Sequence, residues 1–174
     1  MINISDQDIE MRKVVSDKVK YFRCWGSKVI IYTENNELIQ VSLENFHPSP
    51  VKKGLCISVL QIACGKEHCL IVTRSGYVYS YGSDEYGQLG NDNFTDQKEP
   101  NLILQLSNCR VSKVACSDYS SFAVARAKDF KLLLQNSKWD IVNLFAFSEP
   151  EKDILFSWGR GNFGCLGTGD YTDR

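Results

Sequence analysis

The sequence predicts an all-β fold, namely part of a β-propeller with about three blades. One block of residues recurs at an offset of 52, which superposes Ala63 on Ala115. A second motif, an aromatic residue and a glycine followed by Gly-x-Leu-Gly, begins at Tyr81 and again at Trp158. Each unit consists of short apolar runs separated by turn residues, and no unit contains a helical stretch of the length that helical solenoid repeats need.

The first repeated block reads as an alternating strand, a small-residue turn and another apolar strand. It occupies residues 59–72 and returns at residues 110–124. A weaker copy at residues 19–33 lies 40 positions earlier, with Cys24 in the place of Cys64. The early copy lacks the Gly-x-Leu-Gly loop, so we interpret it as a degenerate first repeat.

The second motif occupies residues 77–90 and residues 154–167. Its offset of 77 exceeds the first offset by 25, and an insertion must account for the difference. Only residues 128–153 lack a counterpart in the earlier repeats. The sequence therefore predicts an insertion there, inside a propeller region at residues 14–174 that follows an N-terminal extension at residues 1–13.

Turn residues and alternating patterns divide each unit into short strands. Residues 34–37 and 73–76 carry the Asn or Gly that hairpin turns with positive φ require. Period-2 patterning in residues 77–81 and 111–114 predicts half-buried strands. Repeats of ~40–50 residues, each a small antiparallel sheet, are typical of β-propellers. We expect the following glycines to lie in turns or loops: Gly65, Gly76, Gly82, Gly87 and Gly90.

These repeats resemble the regulator-of-chromosome-condensation repeat family. The second copy matches that family's repeat almost fully, at Ala63-Cys64-Gly65, His68, Ser75-Gly76, Tyr81-Gly82 and Gly87-Gln88-Leu89-Gly90. The third copy keeps Ala115-Cys116, Trp158-Gly159 and Gly164-Cys165-Leu166-Gly167. It departs from the pattern at Ser117 in place of the turn glycine, at Ser120 near the histidine position and at Cys165 in place of glutamine.

The resemblance implies a seven-bladed propeller, which at ~50 residues per blade takes on the order of 350 residues. The 174 residues supply roughly half of that number. We therefore expect this chain to be the N-terminal part of a longer propeller. The resemblance also implies that His68 is a structural histidine between strands, and that an ultraviolet-sensing role would need tryptophan clusters that this segment does not show.

Composition and charge exclude several classes of protein. Hydrophobic residues make up 43% of the chain, which is the proportion of a globular protein and excludes intrinsic disorder. The net charge of -1 gives no bulk attraction to nucleic acid or to an anionic membrane. No apolar run approaches the ~18 residues of a membrane span, and the polar, acidic start is unlike a signal peptide. We expect an intracellular, cytoplasmic protein, with a nuclear or cytoskeletal location as an alternative.

Two patterns imitate ligand sites. Residues 159–164 fit the Gly-x-Gly-x-x-Gly dinucleotide motif, but no helix is predicted after them, so we assign the glycines to a repeat loop. Cys64, His68 and Cys69 suggest zinc, yet no second ligand cluster lies nearby, and Cys64 and Cys69 have opposite parity across a turn, which predicts that they lie on opposite sides of the strands. We expect no catalytic, cofactor or metal site. The cysteines are expected to be reduced and free of metal.

The predicted insertion is rich in large apolar side chains, which a long surface loop either packs against the domain or uses for docking. An extra strand or short helix folded onto the edge, a docking segment and a disordered segment all remain open. If the insertion docks, its partner-binding residues are expected to be Phe130, Leu133, Trp139 and Phe145.

The predicted function is that of a non-catalytic scaffold that binds protein partners through its loops and the insertion, since propellers present many loops on a rigid frame. The resemblance implies one alternative, guanine-nucleotide exchange on a small GTPase. A structural component of a cytoskeletal or ciliary assembly is a third possibility. The sequence indicates no direct nucleic-acid binding and no membrane span.

Overall fold

The computed structural model describes residues 18–45, 47–51, 57–91, 93–127 and 153–173. Nearly all of its regular structure is β, and two short 3-10 turns lie at Leu104–Leu106 and Asn162–Gly164. The strands are β1 (Val19–Trp25), β2 (Lys28–Thr33), β3 (Leu38–Ser42), β4 (Pro48–Pro50), β5 (Val59–Cys64), β6 (His68–Thr73), β7 (Val78–Gly82), β8 (Gln97–Leu102), β9 (Cys109–Cys116), β10 (Ser120–Ala127) and β11 (Asp153–Gly159).

The strands form three small antiparallel sheets, which confirms the predicted fold class. Their orders are β1-β2-β3-β4, β5-β6-β7-β8 and β9-β10-β11. The first strands of consecutive sheets are neighbours, because β1 packs beside β5, and β5 and β6 pack beside β9. Each sheet is therefore one blade, and the described residues form three blades in sequence order.

Two apolar cores lie between the blades, and β6 contributes to both because it is buried along its whole length. Alternate side chains of a strand point to opposite faces, so Cys69 and Ile71 enter one core while Leu70 and Val72 enter the other. The first core joins blades 1 and 2 and includes Trp25, Ile30, Tyr32, Ile62 and Tyr81. The second joins blades 2 and 3 and includes Val78, Ile103, Val111, Ala123 and Trp158.

Two local expectations are corrected by the structure. The prolines at Pro48–Pro50 suggest a loop, but the segment is strand β4, which pairs with β3 at the outer edge of the first sheet. Proline is tolerated at a sheet edge because its missing N–H can be the one that faces outward. Gly82, expected in a turn, is the last residue of β7, where its φ of 116° and its contact with the Glu67 carbonyl leave no room for a side chain. Gly65, Gly76, Gly87 and Gly90 lie outside the strands.

The hairpin of β10 and β11 fixes the position of the predicted insertion. The two strands pair without a break from Ser120 opposite Gly159 to Arg126 opposite Asp153. An ion pair of 3.6 Å between Arg126 Nε and Asp153 Oδ1 accompanies the last pair. The insertion therefore leaves β10 after Ala127 and returns at Asp153, and residues 128–152 lie outside the described residues. No helix in the described part of the chain has the length and apolar character of a membrane span.

Candidate functional site

The loops at one end of blades 2 and 3 carry the aromatic and charged side chains of the candidate site, of which Lys66 is exposed and the others are half-buried. Antiparallel pairing places the β5–β6 turn beside the loop after β7, and the β9–β10 turn beside the loop after β11. A hydrogen bond of 3.0 Å from the backbone N–H of Lys66 to the carbonyl of Asp118 joins the two blades here. We call this end the loop face, which consists of residues 65–67, 83–91, 93–96, 117–119 and 160–173.

Four side chains of the loop face form what we call the aromatic–cation cluster: Lys66, Tyr86, Tyr119 and Arg160. The rings of Tyr86 and Tyr119 meet edge to face, with centroids 5.2 Å apart. The Arg160 guanidinium lies 4.8 Å from the first ring centroid and 5.4 Å from the second. Lys66 Nζ donates a hydrogen bond of 2.8 Å to the Tyr119 hydroxyl. Blades 2 and 3 each contribute two members, so the cluster depends on their contact.

Neighbouring polar groups hold the cluster in place and balance its charge. With its amide oriented so that the oxygen faces Arg160, the side chain of Asn162 accepts hydrogen bonds from Arg160 Nη2 at 2.8 Å and from Nε at 2.9 Å. The hydrogen bond to the Tyr119 hydroxyl raises the pKa of Lys66, and the nearby Glu67 carboxylate adds to this shift. The result is a fixed aromatic surface bordered by both signs of charge. Such a composition suits a polar protein interface, where arginine and tyrosine are common.

A buried polar chain joins blades 2 and 3 beneath the loop face. His68 Nε2 lies 2.9 Å from the Ser121 hydroxyl, which donates a 2.7 Å hydrogen bond to the carbonyl of Gln88. The indole N–H of Trp158 donates to the same carbonyl at 2.9 Å. His68 and Ser121 are both 0% exposed, and burial lowers the pKa of His68 to about 4. A neutral histidine that bonds to the next blade is the structural role that the resemblance implied.

Two further polar side chains, Gln61 and Asp84, form hydrogen bonds to backbone groups in these blades. The side chain of Gln61 makes two hydrogen bonds to the backbone of Val114. Its amide nitrogen donates to the Val114 carbonyl at 2.8 Å, and its oxygen accepts from the Val114 N–H at 3.1 Å. Asp84 is 0% exposed in the loop after β7, where its Oδ1 accepts the Leu89 N–H at 2.8 Å. Burial raises the pKa of Asp84 to about 6, and the Asp96 carboxylate adds to this shift.

The structure supports neither the dinucleotide motif nor the zinc site as a ligand site within the described residues. The Gly-x-Gly-x-x-Gly segment passes from β11 into a 3-10 turn of three residues, which is not the helix of a dinucleotide fold. Among the described residues, no group of three or more His, Cys, Asp or Glu side chains is placed to hold a metal ion. His68 points toward Ser121 in the neighbouring blade.

The expectation of reduced cysteines is wrong for one pair. Cys64 and Cys69 face each other directly across β5 and β6, with Cα atoms 4.2 Å apart, and the structure joins them in a disulfide. Directly opposed residues share one face of a sheet, whereas the sequence interpretation assigned these two to opposite sides. Cys109 and Cys116 are free thiols within the described residues, and burial raises the pKa of Cys116 to about 12.

The sequence-predicted partner-binding residues lie in a different part of the chain from the cluster. Phe130, Leu133, Trp139 and Phe145 fall outside the described residues, so their role stays a prediction. The described chain breaks off after Ala127 and resumes at Asp153, at the ends of β10 and β11 that lie away from the loop face. The aromatic–cation cluster could not be predicted from the sequence because its members come from four separate loops. The one available signal was the turn offset of 52, which places Tyr119 near His68 in the repeat.

Comparison with known sequences identifies the repeats. The profile of the regulator of chromosome condensation (RCC1) repeat matches residues 75–124, and a second profile of the same repeat matches residues 59–88. The ultraviolet-B receptor UVR8 of Arabidopsis thaliana is 34% identical over 76% of this chain. The probable E3 ubiquitin-protein ligase HERC3 of Homo sapiens is 29% identical over 70% of it. The chain spans only 24% of the first relative and 9% of the second.

Comparison with solved structures supports the same fold. Prp20p of Saccharomyces cerevisiae superposes on 89% of this chain with a TM-score of 0.60 at 19% identity, and the match covers 36% of that structure. Human WBSCR16 superposes on 90% of this chain with a TM-score of 0.61 at 18% identity, and the match covers 38% of that structure. Three consecutive blades, the repeat profiles and these relatives agree, and the chain belongs to the regulator of chromosome condensation (RCC1) repeat family.

Proposed function

We propose that this chain is a non-catalytic propeller scaffold that binds protein partners. The main support for the proposal is that its buried polar side chains join the blades, whereas those at the loop ends are accessible to a partner. The histidine and serine that are hydrogen-bonded to each other, His68 and Ser121, are 0% exposed and hold two blades together. The aromatic–cation cluster, in contrast, lies at the loop ends, where a partner can reach it.

The relatives support a binding role without assigning a partner. The structure of Prp20p is described together with its binding to Gsp1p and histones, and another structure shows yeast RCC1 (Prp20) bound to Kap60. The HERC relatives carry matching repeats as a small part of much longer ubiquitin-protein ligases. By analogy, the repeats of this chain serve to position a partner, and the chemistry of any larger assembly belongs to other parts.

Two surfaces can supply the specificity of binding. The loop face presents the aromatic–cation cluster, and the insertion between β10 and β11 contains Phe130, Leu133, Trp139 and Phe145. Truncating an aromatic anchor at the centre of an interface costs about 2–4 kcal/mol, or roughly 30- to 1,000-fold in affinity. If Trp139 instead packs on its own blade, its removal lowers stability by ~3–5 kcal/mol.

The test measures binding and stability in the same variants. Partners are identified by crosslinking and mass spectrometry and are then purified. Each partner is titrated against the wild type and three variants: Trp139→Ala, a double variant that combines Lys66→Glu with Arg160→Glu, and the control Lys113→Glu. Lys113 is an exposed residue of β9 that lies outside both surfaces. We expect at least one of the two surface variants to weaken binding about tenfold or more while the melting temperature stays near that of wild type.

The contradicting outcome is a partner whose affinity is unchanged in every variant, or a loss of binding that always follows a loss of stability. Guanine-nucleotide exchange stays a prediction, and a nucleotide-release assay against a panel of small GTPases tests it. Membership of a cytoskeletal or ciliary assembly and the proposed intracellular location are tested by microscopy of the tagged protein.

A further inference from the structure

A cavity of about 380 Å³ lies at the outer rim of blade 2, among the loop after β7, strand β8 and the 3-10 turn that follows β8. Its volume falls within the range of small-molecule sites, roughly 300–1,000 Å³. Leu102 and Leu104 supply its apolar lining, and no charged side chain lines it among the described residues. The remaining five lining side chains are all carboxamides: Asn91, Asn93, Gln97, Asn101 and Gln105.

The repeat pattern does not account for these carboxamides. The offset of 77 superposes Asn91 on Thr168 and Asn93 on Asp170, so the equivalent loop of blade 3 carries neither amide. The glycines and the leucine of the Gly-x-Leu-Gly motif, in contrast, recur in both blades. The carboxamides therefore belong to blade 2 in particular, and the packing that the repeats share does not require them.

Hydrogen bonds hold two of the carboxamides in place on β8. Asn101 Nδ2 donates to Gln97 Oε1 at 2.6 Å, and Gln97 Nε2 donates to the carbonyl of Thr95 at 3.2 Å. The side-chain nitrogen of Asn91, however, is buried and has no hydrogen-bond partner within the described residues. A buried donor without a partner costs stability, so a ligand oxygen that accepts from Asn91 offsets that cost.

The chemistry of the lining restricts the class of ligand. An anion would need a cationic side chain to replace its hydration, and a cation would need a carboxylate. Each carboxamide instead supplies two N–H donors and a carbonyl acceptor, which match a neutral ligand that both donates and accepts hydrogen bonds. Leu104, which is 70% exposed, adds an aliphatic surface beside these groups.

We propose that this carboxamide-lined cavity is a binding site for a neutral saccharide. The hydroxyl groups around a sugar ring donate and accept hydrogen bonds, as the carboxamides require, while the C–H groups on the face of the ring contact Leu104. A site built to bond hydroxyl groups rejects ligands that lack them, because its own polar groups are then left unpaired. No lining residue belongs to the aromatic–cation cluster, so this inference does not depend on the proposed function.

The test follows the side-chain amide signals of the ¹⁵N-labelled full chain by NMR. The probes are glucose, galactose, mannose and N-acetylglucosamine. N-acetylglycinamide represents a peptide as the competing occupant, and inorganic phosphate represents an anion. Two variants, Gln105→Met and Asn93→Ala, each remove one carboxamide from the cavity. The control is Gln40→Met, which removes a half-buried carboxamide from β3 in blade 1.

We expect at least one of the four sugars to shift the cavity amide signals with saturable one-to-one binding. Gln105→Met and Asn93→Ala are each expected to weaken this binding about 2- to 10-fold, the loss for one neutral hydrogen bond, whereas Gln40→Met leaves it unchanged. Backbone amide signals check that the variants fold. The proposal is overturned if no sugar shifts these signals, if both cavity variants bind as the wild type does, or if N-acetylglycinamide or phosphate binds as tightly.

Discussion

Replacement of Asp84 by asparagine is expected to stabilise the protein at neutral pH. The Asp84 carboxyl is 0% exposed, and its Oδ1 accepts the Leu89 N–H. Hydrogen bonds from the backbone of Leu89 and Thr95 favour the charged form of this carboxyl, but burial outweighs them. Burial raises its pKa from 3.8 to about 6, and the Asp96 carboxylate contributes to the shift. Asparagine keeps the Oδ1 acceptor and removes the charge that burial disfavours.

The sign and size follow from proton linkage. The folded state binds the proton of Asp84 more tightly than the unfolded state, so this group favours folding below pH ~4, and that contribution is lost as pH rises through ~6. A shift from 3.8 to about 6 corresponds to about 3 kcal/mol at pH 7. The gain from Asp84→Asn is therefore about 3 kcal/mol at pH 7, about half of that at pH 5 and small at pH 4.

His68 contributes an effect of the opposite sign in nearly the same pH range. Burial lowers its pKa from 6.5 to about 4, so its contribution to stability is present above pH ~6.5 and is lost as pH falls through ~4. The wild-type protein combines the two effects, which largely cancel between pH ~4 and ~6.5. In Asp84→Asn only the His68 effect remains. We therefore expect the free energy of unfolding of this variant to fall by about 3 kcal/mol as the pH is lowered from ~6.5 to ~4.

The assay is urea denaturation followed by tryptophan fluorescence, with the free energy of unfolding determined at pH 4, 5 and 7. The control is Asp118→Asn, the same chemical change at an exposed residue of the β9–β10 turn. The reasoning is refuted if the gain from Asp84→Asn at pH 7 is no larger than at pH 5, or if the control variant gains as much.

Three further predictions concern the frame and the thiols. Gln61→Ala removes both hydrogen bonds from its side chain to β9, and we expect it to lower the free energy of unfolding by about 1–3 kcal/mol, measured by urea denaturation. Gly82→Ala is expected to destabilise more than Gly167→Ala, because both have positive φ but only the first has close neighbours, and melting temperatures compare them. Iodoacetamide is expected to modify exposed Cys24 before Cys116, whose pKa burial raises to about 12, and mass spectrometry of timed samples detects the order.

The strands and blades were predictable because each repeat has an alternating apolar pattern and a turn at a fixed offset. β5, β6 and β7 follow the pattern of residues 59–81, and β9 and β10 follow its copy. β4 was missed because the prolines of Pro48–Pro50 suggest a loop, whereas the sheet accepts them at its outer edge. Local propensity alone does not contain the information that a strand lies at an edge.

The features of the site depend on pairing and on contacts between blades, which a repeat pattern does not specify. Cys64 and Cys69 were assigned to opposite sides because the turn length was unknown, and the observed register places them directly opposite each other. Tyr86 and Tyr119 are 33 residues apart and meet only because blade 3 packs against blade 2. Loop polarity predicts an exposed carboxylate at Asp84, but the loop folds back on itself and buries this group against Leu89 and Asp96.

The continuous pairing of β10 with β11 makes this hairpin a permissive place for evolutionary change. The turn between β6 and β7 has four residues, whereas 25 residues separate β10 from β11. Closing the longer loop costs only about 2 kcal/mol more in chain entropy. Because the register from Ser120 to Arg126 fixes both strands independently of that loop, its length and sequence can diverge among related proteins without disturbing the blade. Selection can thus alter this segment in one lineage while the remaining repeats stay under the constraint of packing.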